Sequence, residues 1–387
     1  MIIGHYESDI WAAGGLAAYI RRIGQAQRSL GHTVYYFSQN ASVGIENEQV
    51  QPILVSSEPD LYDQAKRLKL DILHVHGEVT TIPPRQFATV RTLQGHQPYC
   101  PSASKFLKQS NQPCNRSYSV LGCLQGHLLD RCGSIRPNQL IQNFQAIAKI
   151  RPVLSQMPVI VVSQFLKDRL VEVGYDASSI HVLHLFAPKV FQPSSPPTVG
   201  VPRFVFLGRF TPEKGLSWLF NAIAQVSVPI HLDVAGQGNQ AAQIQQQIDT
   251  LGLCDRVTLH GWLNEAQTEQ LIAQARAVVY PSLWHEPGGT VAFEAMAQAR
   301  ALIMSRVGGM PEVVRDGVNG LLVEPNDVVQ LAHSLERLAK DWQLAKQLGE
   351  TGQAYAIEQF SLDHHLTQLM HIYQQNVRST QESLSCI

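Results

Sequence analysis

The stretch HEPGGTVAFE, residues 285 to 294, places two carboxylates, Glu286 and Glu294, eight positions apart around a Pro-Gly-Gly turn. Val291, Ala292, Phe293, Ala295, Met296 and Ala297 surround Glu294 at every angle of a 3.6-residue period, so a helix here reads as buried all round. A buried carboxylate is costly unless hydrogen bonds reach it, so Glu294 requires either an internal Arg or Lys or the hydroxyls of a ligand. Gly288 and Gly289 leave backbone N–H groups uncovered at the start of that helix, with Thr290 next, where aligned peptide dipoles suit a phosphate. A diol partner and a phosphate together point to a nucleotide.

Two cations join this pattern. In LGRFTPEKG, residues 207 to 215, an apolar run ends in Gly208 and Arg209, and Lys214 follows on a Pro-turned loop. Such a pair can grip a diphosphate, or it can be a solvated Arg and Lys beside Glu213. Gly14 and Gly15 open the helix LAAYIRRIGQAQRSLG in the manner of Gly288 and Gly289, which permits close ligand approach or serves an ordinary turn. Gly236-Gln-Gly238-Asn-Gln-Ala241 matches a dinucleotide fingerprint, but the next strand ends in His260, Gly261 and Trp262 where a ribose-binding acid belongs. A dehydrogenase is therefore disfavoured.

These residues need elements to hold them. Short apolar runs (HTVYYFS, DILHVH, ATVRTL, PVIVVS, HVLHLF, then RFVFLGR, IHLDVAG, RVTLHGW, AVVYPS, ALIMS) alternate with amphipathic helical stretches, the pattern of parallel sheets with helical crossovers. A chain of 387 residues suggests two domains. The Pro/Ser-rich stretch at residues 191–203 reads as a linker, which gives domains at 1–190 and 204–359 and a tail element at 360–387 whose last part, from 374, looks frayed. Ligands of such α/β sheets bind at the carboxyl ends of the strands, in a crevice that two facing sheets would share.

Composition narrows the class. Lys plus Arg number 30 against 31 Asp plus Glu, so no general footprint for nucleic acid exists and no polybasic tail for anionic lipid. The N-terminus has no signal-like apolar core and no window could span a bilayer, which predicts a cytoplasmic protein. Arg21, Arg22 and Arg28 on the first helix leave peripheral contact with the inner membrane face open. Cys100, Cys114, Cys123 and Cys132 cluster in a loop-like insertion of the N-terminal domain, residues 100–132. They lack Cys-x-x-Cys knuckles, so buried thiols or a stress-formed disulfide compete with a structural metal that His96 and His127 would complete.

Taken together, GRFTPEKG, VAGQGN, VTLHGW, the Pro-Ser before Glu286, the Glu-x7-Glu pair and VGGMPEVVRDGVNGLLVEPND resemble a retaining nucleotide-sugar glycosyltransferase of the GT-B fold, in the large family of bacterial mannosyltransferases related to glycogen and sucrose synthases. The resemblance is strongest over residues 201–327 and looser in AAGGLAAYI, DILHVHG, VRTLQGHQPYC and PVIVVSQFLKDRLVEVG. It implies two Rossmann-like doubly wound α/β domains facing a central cleft, with donor bound by the C-terminal domain and acceptor by the N-terminal one. It implies that Arg209 and Lys214 neutralise the donor diphosphate in place of a metal, in keeping with the missing Asp-x-Asp motif. Glu294 would hold the ribose, Glu286 the donor sugar, and Gly288, Gly289 and Thr290 would lie near sugar and phosphate. Gly14 and Gly15 would approach the phosphates, Gly261 and Trp262 would flank the base, and the tail helix would cross back to the N-terminal domain. No cofactor beyond the UDP- or GDP-hexose substrate is implied, and the acceptor would be a glycan, a lipid-linked sugar or a small molecule.

The chain departs from the family pattern at several places. Gln94 stands where relatives carry a sugar-contacting His, and His96, two residues on in what reads as an extended segment, is the candidate substitute. Gly288 replaces an aromatic, Arg300 a Gly, and Ala187-Pro188 an Asn-Gly. These changes keep a non-catalytic nucleotide- or sugar-binding homologue and a sugar-nucleotide epimerase as alternatives.

Overall fold

The structure, a computed structural model, describes residues 1–12, 14–40, 51–188 and 195–385. It divides into two compact units: residues 1–103, 136–184 and 362–387 form the first, and residues 104–135 and 185–361 the second.

The strands run β1 (Ile2–Tyr6), β2 (Thr33–Ser38), β3 (Ile53–Leu54), β4 (Ile72–Val75), β5 (Ala88–Leu93), a small antiparallel hairpin of β6 (Phe106–Leu107) and β7 (Gln112–Pro113), then β8 (Val159–Val161) and β9 (Ile180–Val182). The first unit is built on a seven-stranded parallel sheet in the order β3-β2-β1-β4-β5-β8-β9. Phe37, Leu73 and Val75 of the strands cluster with Phe87 and with Leu61 and Tyr62 of the helix Glu58–Arg67 in one apolar layer. That helix is started by Ser57, whose side chain accepts from the Asp60 N–H, and by a proline in its first turn.

Elsewhere in this unit lies a buried polar network of three histidines. His5 pairs in register with His74 across β1 and β4, and His76 lies just beyond β4. His5 Nε2 lies 2.8 Å from Gln27 Oε1, which places a proton on Nε2 and leaves Nδ1 to accept from His76 Nε2 at 3.0 Å. His74 bonds Thr92 through Nε2 and Tyr373 of the helix Leu362–Ser385 through Nδ1. His365 on the same helix bonds the Tyr19 hydroxyl at 3.0 Å and the His184 carbonyl at 2.8 Å. That helix continues to Ser385, so the fraying expected from residue 374 is not seen. Half-buried Asn376 and Thr380 bond carbonyls one turn back, at 2.8 and 2.9 Å.

The second unit has β10 (Arg203–Leu207), β11 (His231–Ala235), β12 (Val257–Gly261), β13 (Ala277–Tyr280), β14 (Ala301–Ser305) and β15 (Leu321–Val323), all parallel, in the order β12-β11-β10-β13-β14-β15. This is the doubly wound arrangement in which strand order reverses between the first and fourth strands. Its core joins Phe204, Phe206, Leu219, Phe220, Leu232 and Ile303, and the hairpin residue Phe106 belongs to the same cluster.

Two sequence expectations need adjustment here. The cysteine-bearing segment, read as an insertion of the N-terminal domain, falls with the second unit from Ser104 to Ile135. Phe106 enters that unit's core, and Asn326 Nδ2 donates to the Asn111 carbonyl at 2.6 Å. Of the predicted linker, residues 191–194 lie outside the described residues, and the part that follows is pinned to the second unit. Trp342 donates to the Pro196 carbonyl at 2.8 Å and Arg276 to that of Pro197 at 3.1 Å. On the first helix, Arg21 bonds the Ile10 carbonyl and covers the Trp11 ring, while Arg28 covers Tyr36.

Candidate functional site

Residues that follow β10 and β13 flank the reversal point of the second sheet, where α/β folds gather ligands. After β10 the chain turns through Gly208, Arg209 and Phe210 into the single turn Pro212–Lys214 and then Gly215, at φ 73°. A Cβ on Gly215 would stand 1.9 Å from the Pro281 carbonyl oxygen, so only glycine lets this loop close on the one after β13. Leu283 N–H donates to the Glu213 carbonyl at 2.7 Å and joins the two loops.

That closure buries Lys214. Its ammonium donates to Glu286 Oε1 at 2.6 Å and to the Tyr280 hydroxyl at 2.7 Å, and it lies 5.1 and 5.2 Å from the Tyr280 and Trp284 ring centres. Glu286, 4% exposed, also accepts from Tyr280 at 2.8 Å and from Ser282 at 2.7 Å on the same oxygen. Burial, and next the Glu286 carboxylate beside it, hold the Tyr280 phenol well above its ordinary pKa. Tyr280 is therefore a neutral donor at physiological pH. Lys214 and Glu286 form a charge-balanced, hydrogen-bonded pair, the condition for burying two ions in a low-dielectric site. Motif reading gave no role to Tyr280 or to Ser282, the latter entering only through the Pro-Ser before Glu286. The alternation in VVYPS, which puts the two side chains on one side of an extended run, is the signal that could have found them.

The helix Thr290–Ala297 follows, led by Gly289 at φ 49°, and a Cβ there would meet the Met310 side chain at 2.5 Å. Gly288 and Gly289 are buried, and Thr290 is exposed at the helix start. Glu294 is half-buried, not enclosed: Val291, Ala292, Phe293, Ala295, Met296 and Ala297 bury their side chains while Glu294 reaches partial solvent. Both Arg209 and Glu294 act electrostatically on Tyr280, which places them around the same centre as Lys214 and Glu286. Arg209 is 66% exposed, with Nη2 3.7 Å from Glu213, so its charge remains available to a ligand. His285 Nε2 lies 2.8 Å from Asn115 Oδ1 and its Nδ1 accepts from Gly308 N–H at 3.2 Å, which ties the 104–135 segment to this loop. Gly261, at φ 69°, ends β12, and Trp262, 63% exposed, follows it.

The Gly236 fingerprint has a packing explanation. A Cβ on Gly236 would sit 1.8 Å from the Gly208 carbonyl oxygen and one on Gly238 2.4 Å from that of Phe210. The glycines let the loop after β11 lie against the loop after β10, without a dinucleotide.

Gly14, Gly15 and His96 belong to the first unit. Gly14, at φ 138°, and Gly15 are exposed at the start of the helix Gly15–Ser29, which has no side-chain cap. His96 is fully buried; it begins a turn instead of continuing β5, its ring bonds the Tyr99 hydroxyl, and its carbonyl accepts from Tyr99 and Cys100. The extended geometry that would have aligned it with Gln94 is absent. Cys100, Cys114, Cys123 and Cys132 are reduced cysteines divided between the units, Cys100 in the first and the others in the second. Among the described residues, three metal-ligating atoms come within 4.8 Å of one another at His5, His74 and His76, and not at the cysteines. Five of those six ring nitrogens already have protein partners, His76 Nδ1 being the exception.

Among relatives, the match to an alpha-maltose-1-phosphate synthase of Mycolicibacterium smegmatis is 29% identical over 284 residues, 66% of this chain and 73% of that protein. An uncharacterized glycosyltransferase of Methanocaldococcus jannaschii is 29% identical over 171 residues, 44% of each chain, so the match spans under half of that relative. The solved structure of Anabaena HepE in complex with UDP and glucose covers 97% of this chain and 100% of its own, with a TM-score of 0.71 at 18% identity. Two doubly wound parallel sheets and this structural likeness define a GT-B protein. The family model for glycosyl transferases group 1 matches residues 191–355.

Proposed function

We propose that the protein is a retaining glycosyltransferase that moves a hexose from a UDP- or GDP-sugar to a hydroxyl of a saccharide, lipid-linked sugar or small-molecule acceptor. The observation that carries the reading is the buried Lys214–Glu286 pair, held by Tyr280 and Ser282 at the reversal point of the second sheet with Arg209 and Glu294 around it. The family match and the complex of HepE with UDP and glucose support the same reading.

In this reading the bond between the anomeric carbon and the diphosphate oxygen breaks, and the acceptor oxygen bonds the same carbon on the same face. The acceptor proton passes to the departing diphosphate. Negative charge grows on the diphosphate as the bond opens, and preorganised cations there stabilise the transition state more than the ground state. Arg209 supplies the exposed charge, and Lys214 contributes as donor charge draws it from Glu286. Glu286 then has carboxylate capacity for donor-sugar hydroxyls, Glu294 receives the ribose hydroxyls, and the N–H groups following Gly288 and Gly289 face the phosphate. Gly261 and Trp262 are assigned to the base.

A thermal-shift series with UDP, GDP, ADP and NAD on the native protein and on Glu294→Ala tests the donor site, followed by product detection with UDP-glucose and GDP-mannose. One nucleoside diphosphate should raise the native melting temperature by linkage and lose that effect in the variant. Stabilisation by NAD alone, or full transfer activity in Glu294→Ala, would refute the assignment. Nucleotide binding without donor turnover would instead identify a binding homologue, the reading that Gln94 favours; its buried Nε2 has no protein partner among the described residues.

A further inference from the structure

The first sheet has its own reversal point, between β1 and β4, and an unusual residue stands beside it. Arg91 occupies β5 in register with Val75, which pairs with Tyr6, so it lies level with the upper end of the unit's apolar layer. It is 3% exposed, and its Nε and Nη1 have no hydrogen-bond partner among the described residues. Glu7 Oε2 after β1 and the Tyr175 hydroxyl are buried and unpartnered in the same way. The charges that act on Arg91 are Glu78, Glu7 and Glu58, together with the Tyr175 phenol. Glu58 is already committed to the N–H and hydroxyl groups of Thr80 and Thr81, and Glu7 Oε1 to Ser8. What remains open is a guanidinium fork, one carboxylate oxygen and a phenol, beneath the exposed Glu78.

An unpaired buried guanidinium is expensive, so the arrangement is complete only when something accepts from it. Two cations, Arg91 and the Arg151 guanidinium that covers the Tyr175 ring, stand among three carboxylates and leave this corner with net negative charge, which disfavours a phosphate or carboxylate ligand. A partner that accepts from Arg91 and also donates to Glu7 must carry both functions on one group, and a neutral hydroxyl does. We propose that Arg91, Glu7 and Tyr175 form a binding site for an uncharged saccharide. Resting on the glycosyl-transfer reading above, this site holds the acceptor and selects neutral sugars over sugar phosphates.

Saturation-transfer NMR with maltose, cellobiose, mannobiose and glucose 6-phosphate, on the native protein, Arg91→Met and Glu7→Gln, tests this. At least one neutral disaccharide should bind, and glucose 6-phosphate should bind more weakly. Each variant should weaken the disaccharide by about tenfold or more, the usual effect of removing a hydrogen bond to a charged group. Arg91→Met exchanges an unpartnered cation for apolar volume and should remain folded by circular dichroism; should it not, Glu7→Gln carries the test. Preference for the sugar phosphate, silence of every neutral sugar, or unchanged binding in the variants would overturn the proposal. The nucleoside-diphosphate thermal shift arises in the other unit and should survive both substitutions. Its absence from the native protein would count against the donor reading, while saccharide binding would still decide the Arg91 site.

Discussion

Lowering the pH from 7.5 to 5 should selectively loosen the first unit. Burial holds His5 and His365 down at about 4 from an ordinary 6.5, and drives His74 and His76 well below that value. In the unfolded chain these imidazoles take up protons as pH falls through 6.5, whereas in the folded unit they stay neutral until about 4. The unfolded state therefore binds more protons inside that window, and stability is present above 6.5 and lost as pH falls towards 4. For one such group the loss at pH 5 is roughly RT ln(33/1.1), about 2 kcal/mol, so His5 and His365 together give about 4 kcal/mol. That is a large share of the total stability of an ordinary domain. The carboxylates of Asp60, Asp176 and Glu336 are held below their ordinary range by hydrogen bonds, so their own losses begin lower and leave the interval above pH 5 to the histidines. Hydrogen exchange followed by mass spectrometry at pH 7.5, 6.5, 5.5 and 5.0, corrected for intrinsic rates, reads this locally in peptides from β1, β4 and the helix Leu362–Ser385. Protection there should fall with pH, and His365→Gln should flatten the dependence. Constant protection in those peptides, or an unchanged slope in the variant, would refute the reasoning.

Lys214→Met should destabilise the second unit by about 3–5 kcal/mol, because it leaves Glu286 charged and buried, and the double variant Lys214→Met with Glu286→Gln should recover much of that loss. Denaturant midpoints of the two single variants and the double check this, and simple additivity would argue against a coupled pair. Gly215→Ala should cost about 3 kcal/mol or more, because it adds overpacking against Pro281 to left-handed backbone strain. Gly252→Ala, at φ 66° with open space around it, should cost only about 1 kcal/mol. Equal midpoints for the two glycine variants would show that the loop after β10 yields to the new methyl group.

Much of the architecture was legible in the chain. Apolar runs such as RFVFLGR and AVVYPS, separated by amphipathic stretches, announce parallel strands because strands buried on both faces need continuous apolar side chains. Motifs at the ends of those runs follow the strands they belong to, so Arg209, Lys214, Glu286 and the Gly288–Gly289 turn could be marked before any coordinates. The burial of Glu294 was misjudged because periodicity describes a helix and not what covers it: its apolar neighbours are buried while its own side is partly open. His96 was misplaced because β5 ends at Leu93 and a turn takes over.

Local pattern thus determined the class of fold, the order of its elements and the loops of the candidate site, since hydrophobic periodicity and glycine geometry act over a few residues. Only the tertiary structure decided the partners. Lys214 meets Glu286 from 72 residues away, Phe106 joins the second core, and the three histidines converge from β1 and the end of β4 under a helix near the chain's end. Those contacts depend on which strands lie side by side and in what register, a property of the whole folded sheet that no short window of sequence contains.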